Sequence, residues 1–207
     1  APREEARRAL GLDLPGRLLV SVGHLSARKG FQRVLRVLPD LLRDAPDLTF
    51  AIVGGQGGEA SNEAELRQLA ADPALAGRVI FAGPQRPEGV RAWLNAADLF
   101  VLASDLEGCP NVVWEALACG RPVVASNVGE VERMVPPFAG RLFGHADDLP
   151  ALRDALAKAL GTEYDAQMIR DWAGRHGWDG VARRVIEEWS AAASGPAPAL
   201  AQREYAA

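Results

Sequence analysis

The stretch Glu107-Gly-Cys-Pro-Asn-Val-Val-Trp-Glu115 holds two carboxylates eight residues apart, with Gly108 and Pro110 between them. Proline suits the first turn of a helix, where its missing N–H is not needed. A helix starting near Pro110 therefore turns its unbonded N–H groups toward the space between the two acids, and such a start binds anions. At ~1.5 Å of rise per residue, Glu115 lies about 8 Å along the axis, roughly the reach from a diphosphate to the ribose beside it. A carboxylate accepts two hydroxyl hydrogen bonds side by side, which suits a vicinal diol. Phosphates in the middle with sugars at both ends describe a nucleotide-sugar. The plain alternative is a solvated loop acid at Glu107 and a solvent-facing helix residue at Glu115.

A second constellation is Gly23-His24-Leu25-Ser26-Ala27-Arg28-Lys29-Gly30. The chain favours Arg heavily and has only two lysines, Lys29 and Lys158, so a Lys kept against that bias suggests a chemical requirement. Loss of a nucleoside diphosphate builds negative charge on its phosphate, and a fixed ammonium stabilises that charge. The bland alternative for Lys29 is a surface residue before a helix. His24 near a phosphate could be protonated or could donate one neutral hydrogen bond. The turn Gly54-Gly55-Gln56-Gly57-Gly58 lets backbone approach a ligand closely. Gly55-x-Gly57-x-x-Ala60 also fits a relaxed dinucleotide fingerprint. It stands in the second strand–helix unit, however, and Asp72 at a helix end is a poor acidic partner. Arg86, in Gly83-Pro-Gln-Arg-Pro87, is a candidate to lie along a base or phosphate, or simply a surface Arg.

These segments need a scaffold. Continuous apolar runs at residues 18–22, 48–53, 78–81, 98–103 and 122–125, with a weaker one at 140–143, predict strands buried on both faces. Between them, residues 31–43, 63–71, 88–95, 111–119 and 130–135 predict helices. This alternation implies an α/β, Rossmann-like, doubly wound parallel sheet of about six strands with helices on both faces. C-terminal helices are expected at 149–160, 165–174 and 179–192, and a disordered Pro/Ala-rich tail from 194 to 207. Right-handed crossovers bring the loops at 23–29, 54–58, 83–87 and 104–110 to one edge of the sheet, where they form a cleft. Trp172, Trp178 and Trp189 read as core or interdomain packing, and His145 and His176 as structural or exposed.

Composition bounds the answer. With 207 residues and 48% hydrophobic content, the chain suits one large α/β domain, at residues 1–193. A net charge of −4 argues against nucleic acid as a partner. The longest apolar runs are strand-length, and the first residues are charged and lack an apolar signal core. Cys109 and Cys119 have no metal or redox spacing, so a reduced, cytoplasmic setting is the simple reading.

Glu107-x7-Glu115 followed by Ala-Leu-Ala-Cys-Gly-Arg-Pro-Val-Val-Ala-Ser-Asn-Val-Gly resembles the donor-binding signature of the family 4 (group 1) retaining glycosyltransferases, bacterial surface-polysaccharide type. The similarity runs from about Leu18 to Trp189. It implies that Glu107 contacts the donor sugar and that the backbone of Gly108, Cys109, Pro110, Asn111, Val112 and Val113 holds the diphosphate. It gives the ribose hydroxyls to Glu115 and the diphosphate charge to Lys29, so that Lys29 and Glu107 are the catalytic candidates. Gly23, His24, Gly54, Gly55 and Arg86 complete the donor-binding set. Many relatives have Gly-Arg-Leu where this chain has Gly23-His24-Leu25, so the second cation is replaced.

The family has a GT-B fold, two Rossmann-like domains across a cleft, with the acceptor and a catalytically important His in the N-terminal domain. The chain begins without Met, and residues 2–14 resemble the segment just after the interdomain linker. It is therefore expected to be the C-terminal half of a larger enzyme, binding UDP-sugar or GDP-sugar but inactive alone. Its partners would be the N-terminal acceptor-binding domain and a glycan or lipid-linked acceptor, at the inner membrane surface through the full-length enzyme. No cofactor or metal is expected, as the sequence has no Asp-x-Asp motif. A non-catalytic module of the same fold explains the motifs equally well, and a nicotinamide-dependent dehydrogenase half explains only Gly55 to Ala60.

Overall fold

The computed structural model describes residues 2–58 and 60–194. Its sheet consists of β1 (Leu18–Val22), β2 (Thr49–Val53), β3 (Val79–Gly83), β4 (Leu99–Leu102), β5 (Val123–Ser126) and β6 (Gly140–Phe143). All six strands are parallel, in the order β3-β2-β1-β4-β5-β6. The helices are α1 (Arg3–Ala9), α2 (Phe31–Asp44), α3 (Glu63–Ala70), α4 (Pro87–Ala96), α5 (Asn111–Ala118), α6 (Val131–Met134), α7 (Leu149–Leu160), α8 (Ala166–Arg175) and α9 (Trp178–Ser194). The expected α/β doubly wound sheet is therefore present.

Two cores sit on the two faces of the sheet. Leu18 and Val20 of β1, with Phe100 and Leu102 of β4, face one core; it also takes Trp93 of α4, Leu117 of α5 and Ile169 of α8. Leu19, Leu99 and Val101 face the other, with Leu35 and Leu38 of α2, Leu66 of α3 and Leu152 of α7. Successive strand residues point to opposite faces, so central strands feeding two cores must read as continuous apolar runs. The edge strand β3 differs: all five of its residues are only half-buried, because it has a neighbour on one side.

Polar residues set several boundaries. Asp148 caps α7 by accepting from the Ala151 N–H at 2.9 Å, and Asp165 caps α8 by accepting from Gln167 and Met168. Pro87 and Pro110 stand at the starts of α4 and α5, where proline costs no helical hydrogen bond.

The structure adds detail to several expectations. Residues 2–14 contain α1, whose Arg7 is buried against Asp98 at 2.6 Å. Lys29, in the expected loop after β1, ends a short 3-10 turn, Ala27–Lys29. Trp189 is 73% exposed, so of the two readings, core or interdomain packing, the first does not hold among the described residues. The expected tail begins at Ser194, the last residue of α9; residues 195–207 lie outside the described residues. Among the described residues, no helix is long and apolar enough to cross a membrane.

Candidate functional site

The chain runs from β1 to β3 on one side of the sheet, then returns to build β4 to β6 on the other. The reversal between β1 and β4 opens a crevice at the carboxyl ends of these strands, the usual ligand position in open α/β sheets. The loop after β1 brings Lys29 there and the loop after β4 brings Glu107. The Lys29 ammonium donates to Glu107 Oε1 at 2.7 Å. The side chains are only 16% and 9% exposed, so the pair sits in the crevice floor and not on open surface.

Both loops are held on each other. The Arg28 guanidinium donates to the Leu106 carbonyl at 2.8 Å and lies 3.8 Å from Glu107 Oε2. The Asp105 N–H donates to the Arg28 carbonyl at 2.9 Å. In the first turn of α2, buried Arg33 bonds the Ala103 carbonyl at 3.1 Å, Asp105 at 2.5 Å and Asp147 Oδ1 at 2.9 Å. The Arg33 hydrogen bond, and then its charge, hold the Asp147 carboxyl below its usual pKa. From the β5 side, the Glu130 N–H donates to the Gly108 carbonyl at 2.9 Å. Gly129 has φ +56°, and a Cβ there would stand 2.3 Å from the carbonyl oxygens of both Glu107 and Gly108. Only glycine fits this contact.

Helix α5 starts beside Glu107. Cys109 and Asn111 are exposed and Val112 is half-buried. The N–H groups of the first turn have no intrahelical carbonyl to bond. The Val113 N–H already donates to the Pro110 carbonyl at 2.9 Å, and its side chain is fully buried. Glu115 is exposed one turn on, between two grooves. One, between α4 and α5, is lined by Gln85, Pro87, Val90 and Leu94; the other, between α5 and the last two helices, by Cys109, Asn111, Trp114 and His176.

The glycine turns close the other side. The Gly23 N–H donates to Val53, and the Gly54 N–H to Gly83, at 3.0 and 2.9 Å. Gly54 has φ +148°, and a Cβ on it would lie 1.9 Å from the Gly23 carbonyl oxygen. Gly55 lies against Pro84, and exposed His24, on the same loop as Lys29, has its ring against the backbone of Gly57. Arg86 is exposed at the residue before α4. Thus Lys29, Glu107, Gly108, Cys109, Pro110, Asn111 and Val112 meet at the crevice. Gly23, Gly54 and Gly55 shape its wall, while His24 and Arg86 lie at its margin.

His176, read from the sequence as structural or exposed, is half-buried in aromatic packing. Its ring stacks on Trp114 at 5.1 Å and lies tilted against Trp172 at 4.2 Å, beside a groove that Glu115 also lines. The available signal was the spacing of four between Trp172 and His176, which puts both on one helix face. His145 is exposed, as expected. Among the described residues, no group of three or more His, Cys, Asp or Glu is placed to hold a metal ion.

Comparison with known proteins bears on the family and the fold. The sequence model of the family described as "Glycosyl transferases group 1" matches residues 2–173. The D-inositol 3-phosphate glycosyltransferase of Acidothermus cellulolyticus is 33% identical over 210 residues, covering 98% of this chain and 45% of that protein. The chain spans about half the length of the curated relatives it matches. Among solved structures, sucrose-phosphate synthase from Thermosynechococcus elongatus superposes with a TM-score of 0.72 at 27% identity, over 92% of this chain and 49% of that one. Anabaena Alr3699/HepE, solved in complex with UDP, has a TM-score of 0.64 at 22% identity, over 91% of this chain and 52% of that one.

Proposed function

The chain belongs to the group 1 glycosyl transferases, and from that premise we propose that it is the donor-binding half of a retaining glycosyltransferase. Its substrate is a UDP-sugar or GDP-sugar, from which the complete enzyme moves a hexose to a glycan or lipid-linked acceptor in the cytoplasm. The observation that carries this reading is the convergence of Lys29, Glu107 and the start of α5 at the sheet's reversal point, with Glu115 one turn further along. That order of groups matches a nucleoside diphospho-sugar laid along the crevice.

In this reading the diphosphate lies against the α5 start and the Lys29 ammonium. Glu107 accepts hydroxyls of the transferred sugar and Glu115 those of the ribose. The bond between the anomeric carbon and the β-phosphate breaks, and its electron pair leaves with the phosphate. Lys29 and the helix N–H groups stabilise that charge. The acceptor oxygen bonds the same face of the anomeric carbon, and its proton passes to the departing phosphate. Glu107 is a hydroxyl acceptor, with no role as a glycosidase-type acid or nucleophile. Lys29 and the helix start supply the charge that a divalent ion supplies in other transferases.

The acceptor site and the remaining catalytic groups belong to an N-terminal domain, so the chain by itself binds donor without transferring sugar. A dehydrogenase half is disfavoured, because Gly55 to Ala60 follow β2 and not the first strand. A screen of UDP, GDP, their sugars and NAD against the chain, with transfer assayed alongside, tests the reading. Nucleotide binding without NAD binding or turnover is expected. Sugar transfer by the chain alone would overturn the half-enzyme claim.

A further inference from the structure

Residues 103–107 lead from the end of β4 to Glu107, and three cations from residues 28–33 hold them. Arg28 takes the Leu106 carbonyl at 2.8 Å and Lys29 the Glu107 carboxylate at 2.7 Å. Lys29 is the group assigned to the donor diphosphate, so its hold on Glu107 loosens when donor binds. A carboxylate that must meet particular sugar hydroxyls then needs another anchor.

Arg33 supplies one. Its side chain is 8% exposed, and it makes no hydrogen bond or ion pair to Lys29 or Glu107 among the described residues. It grips the segment before Glu107 at two points: Nη1 donates to the Ala103 carbonyl at 3.1 Å and Nη2 to Asp105 Oδ1 at 2.5 Å. Its Nε donates to Asp147 Oδ1 at 2.9 Å, on the loop between β6 and α7. The rigid guanidinium fork makes these bonds in fixed directions. One buried arginine thus carries two carboxylates. Asp105 belongs to the Glu107 segment, whereas Asp147 sits on a loop with no group assigned to the donor.

We propose that Arg33 is a positioning residue for the donor sugar: through Asp105 and the Ala103 carbonyl it fixes where the Glu107 carboxylate stands once the diphosphate has drawn Lys29 away. This role presupposes the donor-binding reading. Asp105 and Glu107 are two residues apart, about 7 Å of extended chain, so a shift of Asp105 passes on to Glu107. A displacement of about 1 Å is enough to spoil the placement of a substrate group. A purely structural Arg33 would make Asp105 and Asp147 matter alike, through stability alone.

Asp105→Ala and Asp147→Ala each remove one carboxylate and leave Arg33 the other as counter-charge. Both residues are exposed, so truncation opens no buried cavity. Urea midpoints give the stability each variant loses. Calorimetry then measures affinity for UDP and UDP-glucose, and for GDP and GDP-mannose, in the parent chain and the variants. The readout is the ratio of nucleotide-sugar to nucleoside diphosphate affinity, from which any loss of folded protein cancels. Asp105→Ala should lower that ratio about threefold or more, as groups in one hydrogen-bond network are coupled. Arg33→Lys, which keeps the charge but not the fork, should act in the same direction, and Asp147→Ala should leave the ratio unchanged. In Glu107→Gln, adding Asp105→Ala should lower it no further, because the positioned group is already gone. A ratio untouched by Asp105→Ala, lowered equally by Asp147→Ala, or lowered as much in Glu107→Gln overturns the proposal while nucleotide binding stands. A parent chain that binds none of the four ligands overturns the donor-binding reading, and this role with it.

Discussion

Lys29 Nζ lies 2.7 Å from Glu107 Oε1, so the cation assigned to the diphosphate and the carboxylate assigned to the sugar are each other's partner. The two come from loops 78 positions apart in sequence, joined only because β1 and β4 are neighbours. A donor phosphate must share or displace Glu107 at Lys29, and this makes the two residues separable by mutation.

Lys29→Met removes a charge-assisted hydrogen bond of about 1.5–3 kcal/mol, so nucleoside diphosphate affinity should fall roughly 10- to 100-fold. Glu107→Gln should act differently. It frees Lys29, leaving nucleoside diphosphate binding equal or tighter, while the added affinity of the nucleotide-sugar over the diphosphate is lost. Calorimetry with both ligand types distinguishes the two patterns. Equal loss for both ligands in Glu107→Gln would count against separate roles.

Gly129 holds the Glu107 loop from behind. A methyl group there must push back two carbonyl oxygens 2.3 Å away, in a left-handed conformation that alanine disfavours. Gly129→Ala should cost about 1–3 kcal/mol in urea denaturation. It should also weaken nucleotide-sugar binding more than nucleoside diphosphate binding, since Glu107 is the group displaced. A variant that loses stability but keeps the sugar preference would separate Gly129 from the site.

The two cysteines should react unequally. Cys109 is exposed at the α5 start, whereas burial raises the pKa of Cys119 and depletes its thiolate. Iodoacetamide should label Cys109 first, and UDP or GDP should slow that labelling. Mass spectrometry of the labelled peptides reads both. Faster labelling of Cys119, or no protection by either nucleotide, would contradict the placement.

Asp147 gives a pH signature. Its hydrogen bond and charge interaction with Arg33 lower its folded-state pKa, so its stabilising effect is fully present above the ordinary carboxylate pKa of about 3.9. That effect is lost as pH falls through the lower folded value. Asp147→Asn should therefore be less stable than the parent chain at pH 7, and the gap should close below about pH 4. Urea midpoints across that range measure it. A gap that stays constant would mean that Asp147 does not titrate against Arg33.

The central strands were legible because burial on two faces favours apolar side chains at successive positions, as in the run from Leu99 to Leu102. The start of α5 was legible from Pro110, and the crevice loops from their glycines. Other features depend on contacts distant in sequence. Helix α1 is fixed by Arg7 reaching Asp98, 91 positions away, which no local pattern announces. Arg33 reads as one more helix-surface Arg until Asp105 and Asp147 arrive from two different loops. His176 gains its neighbour Trp114 only when α8 packs on α5. The direct contact of Lys29 with Glu107 was equally hidden: the sequence assigned each to a different part of one ligand.

The most direct test of the donor-binding claim is calorimetric titration of UDP and GDP into the chain and into its Glu115→Ala variant. Saturable binding of at least one nucleotide is expected, weakened about tenfold or more in the variant, because two hydroxyl hydrogen bonds at ~1 kcal/mol each are lost. No heat with either nucleotide, or identical binding by the parent chain and Glu115→Ala, would contradict it.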